Sequence, residues 1–330
     1  MRVLFRVAAG PRVGFGHLVR CRSLSRALGV QTSVSIRGSS ATGRVAAAGG
    51  WDVRHIDTDA ALAAYGAHVL VVDDPCPRHA ARWIGWARHL GILTVAVHDL
   101  GLGYVVSDLG VDGSIEPRGH MRGRYGDLTG PAYAILDPGV AATWTTHLER
   151  VPWRVLIALG GGAHVYAYAT RLCRAIVARN PDAHIRVAAG FAGGGARPAL
   201  DHGEWIVAPN GLAEELATAS LAIVAGGVTL YEACALGTPT VAVALTSAQH
   251  ITVRAFAARG AVVDGHHLVA GAQTINTVAA EVDRLLRAPL VRDRLALAGR
   301  HIVDGRGAFR VADRLSALHN STREGATDAA

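Results

Sequence analysis

The sequence predicts an α/β protein built on two parallel sheets, each with helices on both faces. Short apolar runs, typical of buried parallel strands, alternate with segments of helical periodicity. A strand, a glycine turn and a helix follow one another in both halves of the chain. At 330 residues the chain is also long for one domain. These observations together favour two doubly wound, Rossmann-like domains.

The first half supplies the elements of one sheet. Apolar patterns predict strands at residues 2–7, 32–36, 69–72 and 93–97, with weaker extended patterns at 51–56 and 105–108. Helical periodicity predicts helices at 17–28 and 78–90, whereas 116–130 is rich in glycine, arginine and proline and is expected to be irregular. We expect this domain to span 1–150.

The second half repeats the pattern after Pro152. Strands are predicted at 154–159, 185–189, 205–207, 221–224, 240–244 and 262–263, and helices at 164–178, 212–219, 252–259, 274–287, 290–299 and 307–318. We expect the second domain to span 151–318, with a last helix that either stays there or packs back on the first domain. The small, polar segment 319–330 is predicted to be a disordered tail.

The stretch 221–244 carries the clearest binding signal. Its strand runs into Gly226 and Gly227, which permit close approach to the backbone, and Thr229 is a candidate cap for the helix that follows. A helix start of this kind suits phosphate, and Glu232 lies one turn further on, within reach of ligand hydroxyls. From these residues alone, an ordinary tightly packed βαβ unit explains the stretch equally well.

Composition narrows the function classes. The net charge is +7 and all 33 basic residues are arginine, so a P-loop and Schiff-base chemistry, both of which need lysine, are excluded. The arginines are dispersed, which favours an anionic small molecule over nucleic acid as partner. The four cysteines form no CxxC pair, and we expect neither a metal site nor a cofactor. Without a long apolar run, no membrane span is expected, and we expect a cytoplasmic protein.

Two residues of the first half are candidates for chemistry. His17 begins the helix after the first glycine loop, which contains Gly14 and Gly16, and histidine titrates near neutral pH. Asp73 ends a predicted buried strand, so it is a candidate to orient His17 or to bind a sugar. Asp99 at the next strand end is a weaker candidate. Arg12, in the glycine loop, is more simply a surface arginine.

Several motifs, in order along the chain, resemble one group of enzymes. They are VGFGHLVRC (13–21), the Asp73-Asp74 pair, GPAYAIL (130–136), VLIALGGG (155–162), AGGVTLYEACALGTPTVAV (225–243) and Gln249. The chain is similar to the nucleotide-sugar hydrolases of the pseudaminic-acid pathway and the related SpsG spore-coat polysaccharide proteins. More distantly, it resembles MurG-type glycosyltransferases. The resemblance implies the GT-B architecture, two Rossmann-like domains facing across a cleft.

The resemblance also implies roles for individual residues. His17 matches the histidine of the family's GxGH motif, which is taken as the catalytic base, and Glu232 matches the glutamate that binds the ribose. The implied diphosphate and sugar contacts are Gly14, Gly16, Gly160, Gly161, Gly226, Gly227, Val228, Thr229 and Gln249. The sequence departs from its relatives at 163–165 and 74–75, which border the expected acceptor site.

The resulting expectation is an inverting glycosyltransferase that uses a nucleoside diphosphate sugar, with UDP the expected nucleotide, and a small-molecule or glycan acceptor. The alternative is a hydrolase with the same donor and with water as acceptor. A dinucleotide-dependent oxidoreductase is a second class, but Val19 stands where the last glycine of GxGxxG belongs. A nucleic-acid binder is suggested by net charge alone.

Overall fold

The computed structural model describes residues 1–10, 13–117, 123–146, 148–160, 165–190, 197–208, 210–268 and 272–327. The chain divides into two compact units. The first combines Met1–Pro138 with Arg306–Ala330, and the second is Gly139–Gly305. In the described ranges, each unit contains one six-stranded sheet in which neighbouring strands run parallel, and this confirms the predicted fold class.

The sheet of the first unit has the order β2-β1-β3-β4-β5-β6. Its strands are β1 (Arg2–Ala8), β2 (Gln31–Arg37), β3 (Val69–Asp73), β4 (Leu93–Val97), β5 (Leu109–Asp112) and β6 (Asp127–Thr129). The helices of this part of the chain are α1 (Gly16–Leu28), α2 (Ser40–Ala48), α3 (Asp59–Tyr65), α4 (Pro77–His89) and α12 (Gly307–Thr327).

Strand alternation gives this sheet two apolar faces. In β1, Val3 and Phe5 belong to the core shared with α1 and α12, whereas Leu4 belongs to the core shared with α3 and α4. The same alternation recurs in β3. Because both faces are covered, the strands read as nearly continuous apolar runs, which is what the sequence shows.

The sheet of the second unit has the order β12-β11-β10-β7-β8-β9. Its strands are β7 (Val151–Ala158), β8 (His184–Ala188), β9 (Glu204–Ile206), β10 (Ala219–Ala225), β11 (Thr240–Ala244) and β12 (Val263–His267). The helices are α5 (Pro138–Thr145), α6 (Tyr166–Val177), α7 (Ala213–Thr218), α8 (Val228–Ala235), α9 (Ser247–Ala258), α10 (Ala272–Leu286) and α11 (Pro289–Ile302). One face of this sheet packs on α6 and α10.

The unit boundary lies earlier than the predicted junction at 150/151. Helix α5 belongs with the second unit because Val140 packs beside Gly305, where an added Cβ would stand 3.2 Å from Val140 Cγ1. The chain then returns to the first unit at Arg306. The last helix therefore packs back on the first unit, which was one of the two expected outcomes.

The predicted disordered tail is wrong over most of its length, because α12 continues from Gly307 to Thr327. Leu315 and Leu318 are buried in the core of the first unit, and His319 is buried beyond them. The His319 ring lies 5.3 Å from the ring of His68. Polar composition misled the prediction, because contacts with distant residues hold this part of the helix.

The weaker strand prediction at 51–56 is also wrong. Segment 51–56 forms no strand and meets β2 through a single bridge between Val53 and Val34. The extended segment 105–108 leads into the strand β5. The segment 116–130, which was expected to be irregular, contains the short strand β6. In the ranges that the structure describes, no helix is both long enough and apolar enough to cross a membrane.

Candidate functional site

The helix α1 begins at the carboxyl edge of the first sheet. Gly10 and Gly14 exchange backbone hydrogen bonds of 3.1 and 2.7 Å and so close the loop after β1. Gly14 has a φ of 91°, a conformation that glycine adopts readily, whereas Gly16 already lies in the helix. Arg12 lies outside the described residues. This loop places His17 as the second residue of α1, as the sequence predicts.

Asp73 holds the ring of His17. It is the last residue of β3, only 1% exposed, and its Oδ1 lies 2.7 Å from His17 Nδ1. Burial alone raises the pKa of Asp73, but the Arg20 guanidinium and His17 overcome that effect and hold it well below its usual range. An ionised Asp73 accepts a hydrogen from Nδ1, and in the neutral ring Nε2 is then left as the basic nitrogen.

Arg20 is a further candidate residue of this cluster, and the sequence patterns did not single it out. It is buried, and its Nε and Nη2 donate to the two oxygens of Asp73 at 2.5 and 2.6 Å. Its Nη1 donates to Asp99. Burial opposes the charge of Arg20, but Asp73 and Asp99 raise its pKa well above the usual value. An available signal was the i, i+3, i+4, i+7 spacing of His17, Arg20, Cys21 and Leu24.

Asp74, next to this cluster, forms hydrogen bonds that hold the loop after β3. Its two oxygens accept hydrogen bonds of 2.6 Å from Nε and Nη2 of Arg37, which ends β2. The same carboxylate accepts from the backbone N–H of Cys76 at 2.9 Å, immediately before α4. This bidentate pair therefore fixes the loop that leaves β3 and keeps Asp73 in place.

In the second unit, Gly226 and Gly227 connect β10 to α8. A side chain is excluded by close packing at Gly226 but not at Gly227. A Cβ on Gly226 would stand 2.7 Å from the carbonyl oxygen of Gln249 and 2.8 Å from Val253 Cγ2, so close packing explains this position. A Cβ on Gly227 would approach no atom outside its chain neighbours closer than 4.0 Å, the distance to Gln249 Nε2. Gly227 therefore leaves the backbone open at the start of the helix.

Thr229 does not cap α8. The helix begins at Val228 with Gly227 as its N-cap residue, and no side chain makes the capping hydrogen bond. Thr229 is instead the second helical residue, where a backbone N–H has no acceptor within a regular helix. The N–H groups of Val228 and Thr229 are thus the kind that bind an anion, and both residues are half-buried.

Gln249 orients its amide toward this helix start. Its Oε1 accepts a hydrogen bond of 2.8 Å from the backbone N–H of Leu245, at the turn between β11 and α9. With the oxygen used in this way, the amide nitrogen Nε2 lies 4.0 Å from the position that a Cβ on Gly227 would take. Gln249 therefore adds a donor beside the two helical N–H groups.

Glu232 is buried in α8, at 7% exposure, one turn after the glycines. Glu232 is therefore not a solvent-exposed helix residue. Gly160, with a φ of 116°, follows β7, the strand that pairs with β10 through Ala158 and Val224. The end of β7 and the Gly226-Gly227 turn thus share one sheet edge, whereas Gly161 lies outside the described residues.

The predicted site residues accordingly fall into two sets, one in each unit. The first unit brings together His17 and Asp73, with Gly14 and Gly16 in the preceding loop. The second unit brings Gly226, Gly227, Val228, Thr229 and Gln249 to one helix start, with Glu232 in the same helix. Within the described residues, no three His, Cys, Asp or Glu side chains are grouped so that they could hold a metal ion.

Comparison with known proteins gives one curated relative. The spore coat polysaccharide biosynthesis protein SpsG of Bacillus subtilis (strain 168) is 29% identical over 222 residues. The match covers 64% of this chain and 64% of SpsG, so it spans less than two thirds of that relative's length. This similarity confirms the resemblance to the SpsG proteins that the motifs indicated. No protein-family profile matches the chain.

Solved structures show the fold. MurG from Acinetobacter baumannii superposes with a TM-score of 0.61 at 14% identity, over 96% of this chain and all of the other. The spinosyn rhamnosyltransferase SpnG, solved with thymidine diphosphate, gives a TM-score of 0.63 at 19% identity, over 96% of this chain and all of SpnG. This chain has the GT-B fold.

Proposed function

We propose that this protein transfers a sugar from a nucleoside diphosphate sugar to an acceptor hydroxyl, with inversion at the anomeric carbon. The observation that carries the proposal is the His17–Asp73 pair, in which a buried carboxylate holds an imidazole at the start of α1. Such a pair is suited to general-base chemistry. UDP is the expected nucleotide, and thymidine diphosphate is the alternative because SpnG was solved with it.

The donor diphosphate is assigned to the start of α8. Developing negative charge on a leaving diphosphate needs donors that are already oriented, and a helix start supplies N–H groups together with a partial positive charge. Val228, Thr229 and the Gln249 amide are these donors in the proposal, and Gly227 allows the phosphates to approach. Glu232 is assigned to the ribose hydroxyls. Gly160, after the neighbouring strand β7, is assigned to the diphosphate together with Gly161, which lies outside the described residues.

The proposed reaction is a single displacement. The acceptor oxygen attacks the anomeric carbon, and the bond from that carbon to the diphosphate oxygen breaks, with its electron pair leaving on the nucleoside diphosphate. The acceptor proton passes to His17 Nε2. Because attack and departure occur on opposite faces, the configuration inverts. Asp73 stays ionised and stabilises the imidazolium that forms.

The direct test is product analysis by mass spectrometry. The enzyme is incubated with a panel of UDP- and TDP-sugars, with and without candidate acceptors. A sugar–acceptor adduct of inverted configuration supports the proposal. Free sugar in the presence of every acceptor would instead identify a hydrolase, and intact donors throughout would remove both assignments.

Two variants separate the proton transfer from nucleotide binding. His17→Ala is expected to lower kcat by about 10²–10⁴ while nucleotide affinity stays unchanged, because the base acts on the acceptor. His55→Ala is the matched control, since the His55 side chain is almost fully exposed in the same unit. Turnover of His17→Ala at the parent rate would exclude His17 as the base.

The donor site is tested by isothermal titration with UDP and TDP. Glu232→Ala is expected to weaken binding of the preferred nucleotide about tenfold or more, as for loss of a hydrogen bond to a charged group. Glu214→Ala, an exposed carboxylate on α7 of the same unit, is the control. Equal affinities for the two variants would disprove the ribose assignment.

A further inference from the structure

Arg20 contacts both members of the His17–Asp73 pair. Its Nη2 lies 2.6 Å from Asp73 Oδ1 and 3.0 Å from His17 Nδ1, while Asp73 Oδ1 lies 2.7 Å from the same ring nitrogen. One negative and one positive group therefore stand at nearly equal distances from Nδ1. Their electrostatic effects on a protonated ring are opposite in sign and largely cancel.

The electrostatic balance at Nδ1 also depends on the other ionisable groups of this cluster. Among the described residues, the ionisable groups that interact with Arg20 or with one another in this cluster are Cys21 on α1, Asp73 on β3, His98 and Asp99 after β4, and Asp112 at the end of β5. Burial raises the pKa of the Cys21 thiol well above its usual value and lowers the pKa of His98, so both stay neutral near pH 7. The side chain of Asp99 is half-exposed and is already bound to Arg20.

The geometry points to Arg20 as a positioning residue that keeps His17 unprotonated at neutral pH while Asp73 fixes its tautomer. This inference rests on the proposed role of His17 as a base. A buried carboxylate alone would favour the imidazolium and lower the fraction of unprotonated base at neutral pH. A carboxylate that is paired with a guanidinium still accepts the Nδ1 hydrogen. Its attraction for the second proton, on Nε2, is largely cancelled by the positive charge of the guanidinium.

The test is a pH titration of His17 in the intact protein by nitrogen-15 NMR, with label placed in histidine only. The signal absent from His17→Ala assigns the residue among the sixteen histidines. In Arg20→Gln the protonation midpoint of this ring is expected to rise by about one pH unit or more relative to the parent. Arg20→Lys retains the charge and is expected to restore the parent midpoint to within a few tenths of a unit.

Activity gives a second measurement. The acid limb of kcat/KM against pH is expected to move upward by the same amount in Arg20→Gln and to return in Arg20→Lys. An Arg20→Gln protein whose turnover falls while both midpoints stay at the parent value would overturn the inference and leave Arg20 a structural role.

The parent protein alone also decides the point if Arg20→Gln does not fold. The neutral ring must carry its hydrogen on Nδ1, and the two ring nitrogens have distinct nitrogen-15 shifts. A neutral ring with hydrogen on Nε2 would mean that Nδ1 accepts from Arg20, and the inference would be wrong. This measurement uses no substrate, so it fails or succeeds separately from the proposed transferase activity.

Discussion

Replacing Asp73 by asparagine tests the buried ion pair between Asp73 and Arg20. The substitution preserves shape but removes the negative charge, so among the described residues buried Arg20 keeps Asp99 alone as an anionic partner. Removing one member of a buried ion pair usually destabilises a protein by about 3–5 kcal/mol. Because Asp99 remains, we expect the lower end, about 3 kcal/mol.

Asp99→Asn is the matched control. The Asp99 side chain is 54% exposed, against 1% for Asp73, and both bind the same arginine. A half-exposed ion pair contributes below about 1 kcal/mol, because water screens it and solvates the separated charges. The two variants therefore differ in burial while sharing the same chemistry and the same partner.

The assay is native-state hydrogen exchange of peptides that cover β3. Because the chain folds as two units, local exchange reports the opening free energy better than one global transition does. A loss of about 3 kcal/mol corresponds to exchange roughly 10² times faster, and the Asp99→Asn change to less than about fivefold. Equal effects of the two variants would refute the argument from burial.

The pH dependence has a defined sign. The pKa of Asp73 is lower in the folded protein than in the unfolded chain, so the unfolded state binds more protons as the pH falls. The stabilisation by Asp73 is complete above about pH 4, the usual pKa of aspartate, and declines as the pH falls toward the folded value. The Asp73→Asn protein should therefore lose less stability than the parent below pH 4.

Three further variants test packing and nucleotide binding. Gly226→Ala is expected to destabilise the second unit by about 1–3 kcal/mol, because its Cβ overlaps α9 at Gln249. Gly227→Ala is expected to fold normally but to bind nucleotide more weakly. Thermal unfolding measures the stability of the two glycine variants, and titration measures their nucleotide affinity. Equal losses of stability would contradict the different roles given to Gly226 and Gly227. Leu315→Ala should destabilise the first unit by about 2–5 kcal/mol, with faster exchange in β1 and β3. Exchange in β7 and β10 should not change, and a change there would contradict the assignment of α12.

Local patterns predicted most of the fold. Apolar runs in β1, β3, β4, β10 and β11 identified these strands because both faces of each sheet are covered, so few of their residues meet water. The prediction was less accurate where composition and packing disagree. The segment 319–327 is polar in composition but helical, because buried residues such as Leu318 fix the preceding turn of α12.

The candidate site was predictable in part. Strand ends and glycine turns are visible in sequence, so His17, Asp73 and the Gly226-Gly227 turn were found, and the structure adds the 2.7 Å contact between His17 and Asp73. The reasons behind individual residues were not visible. Packing against α9 explains Gly226, and the oxygen of Gln249 is engaged at Leu245. These contacts depend on which elements lie next to each other in the fold, and the periodicity of the sequence does not give that information.

The sequence by itself determined most of the strands and helices in their order, the presence of two α/β halves, the position of His17 at a helix start and that of Asp73 at a strand end. These features follow from interactions within a few residues and from the alternation of apolar side chains. Only the tertiary structure decided that Arg20 is buried between Asp73 and Asp99, and that α12 completes the core of the first unit. Both depend on residues more than fifty positions apart, and a buried charge is stable only where such partners meet.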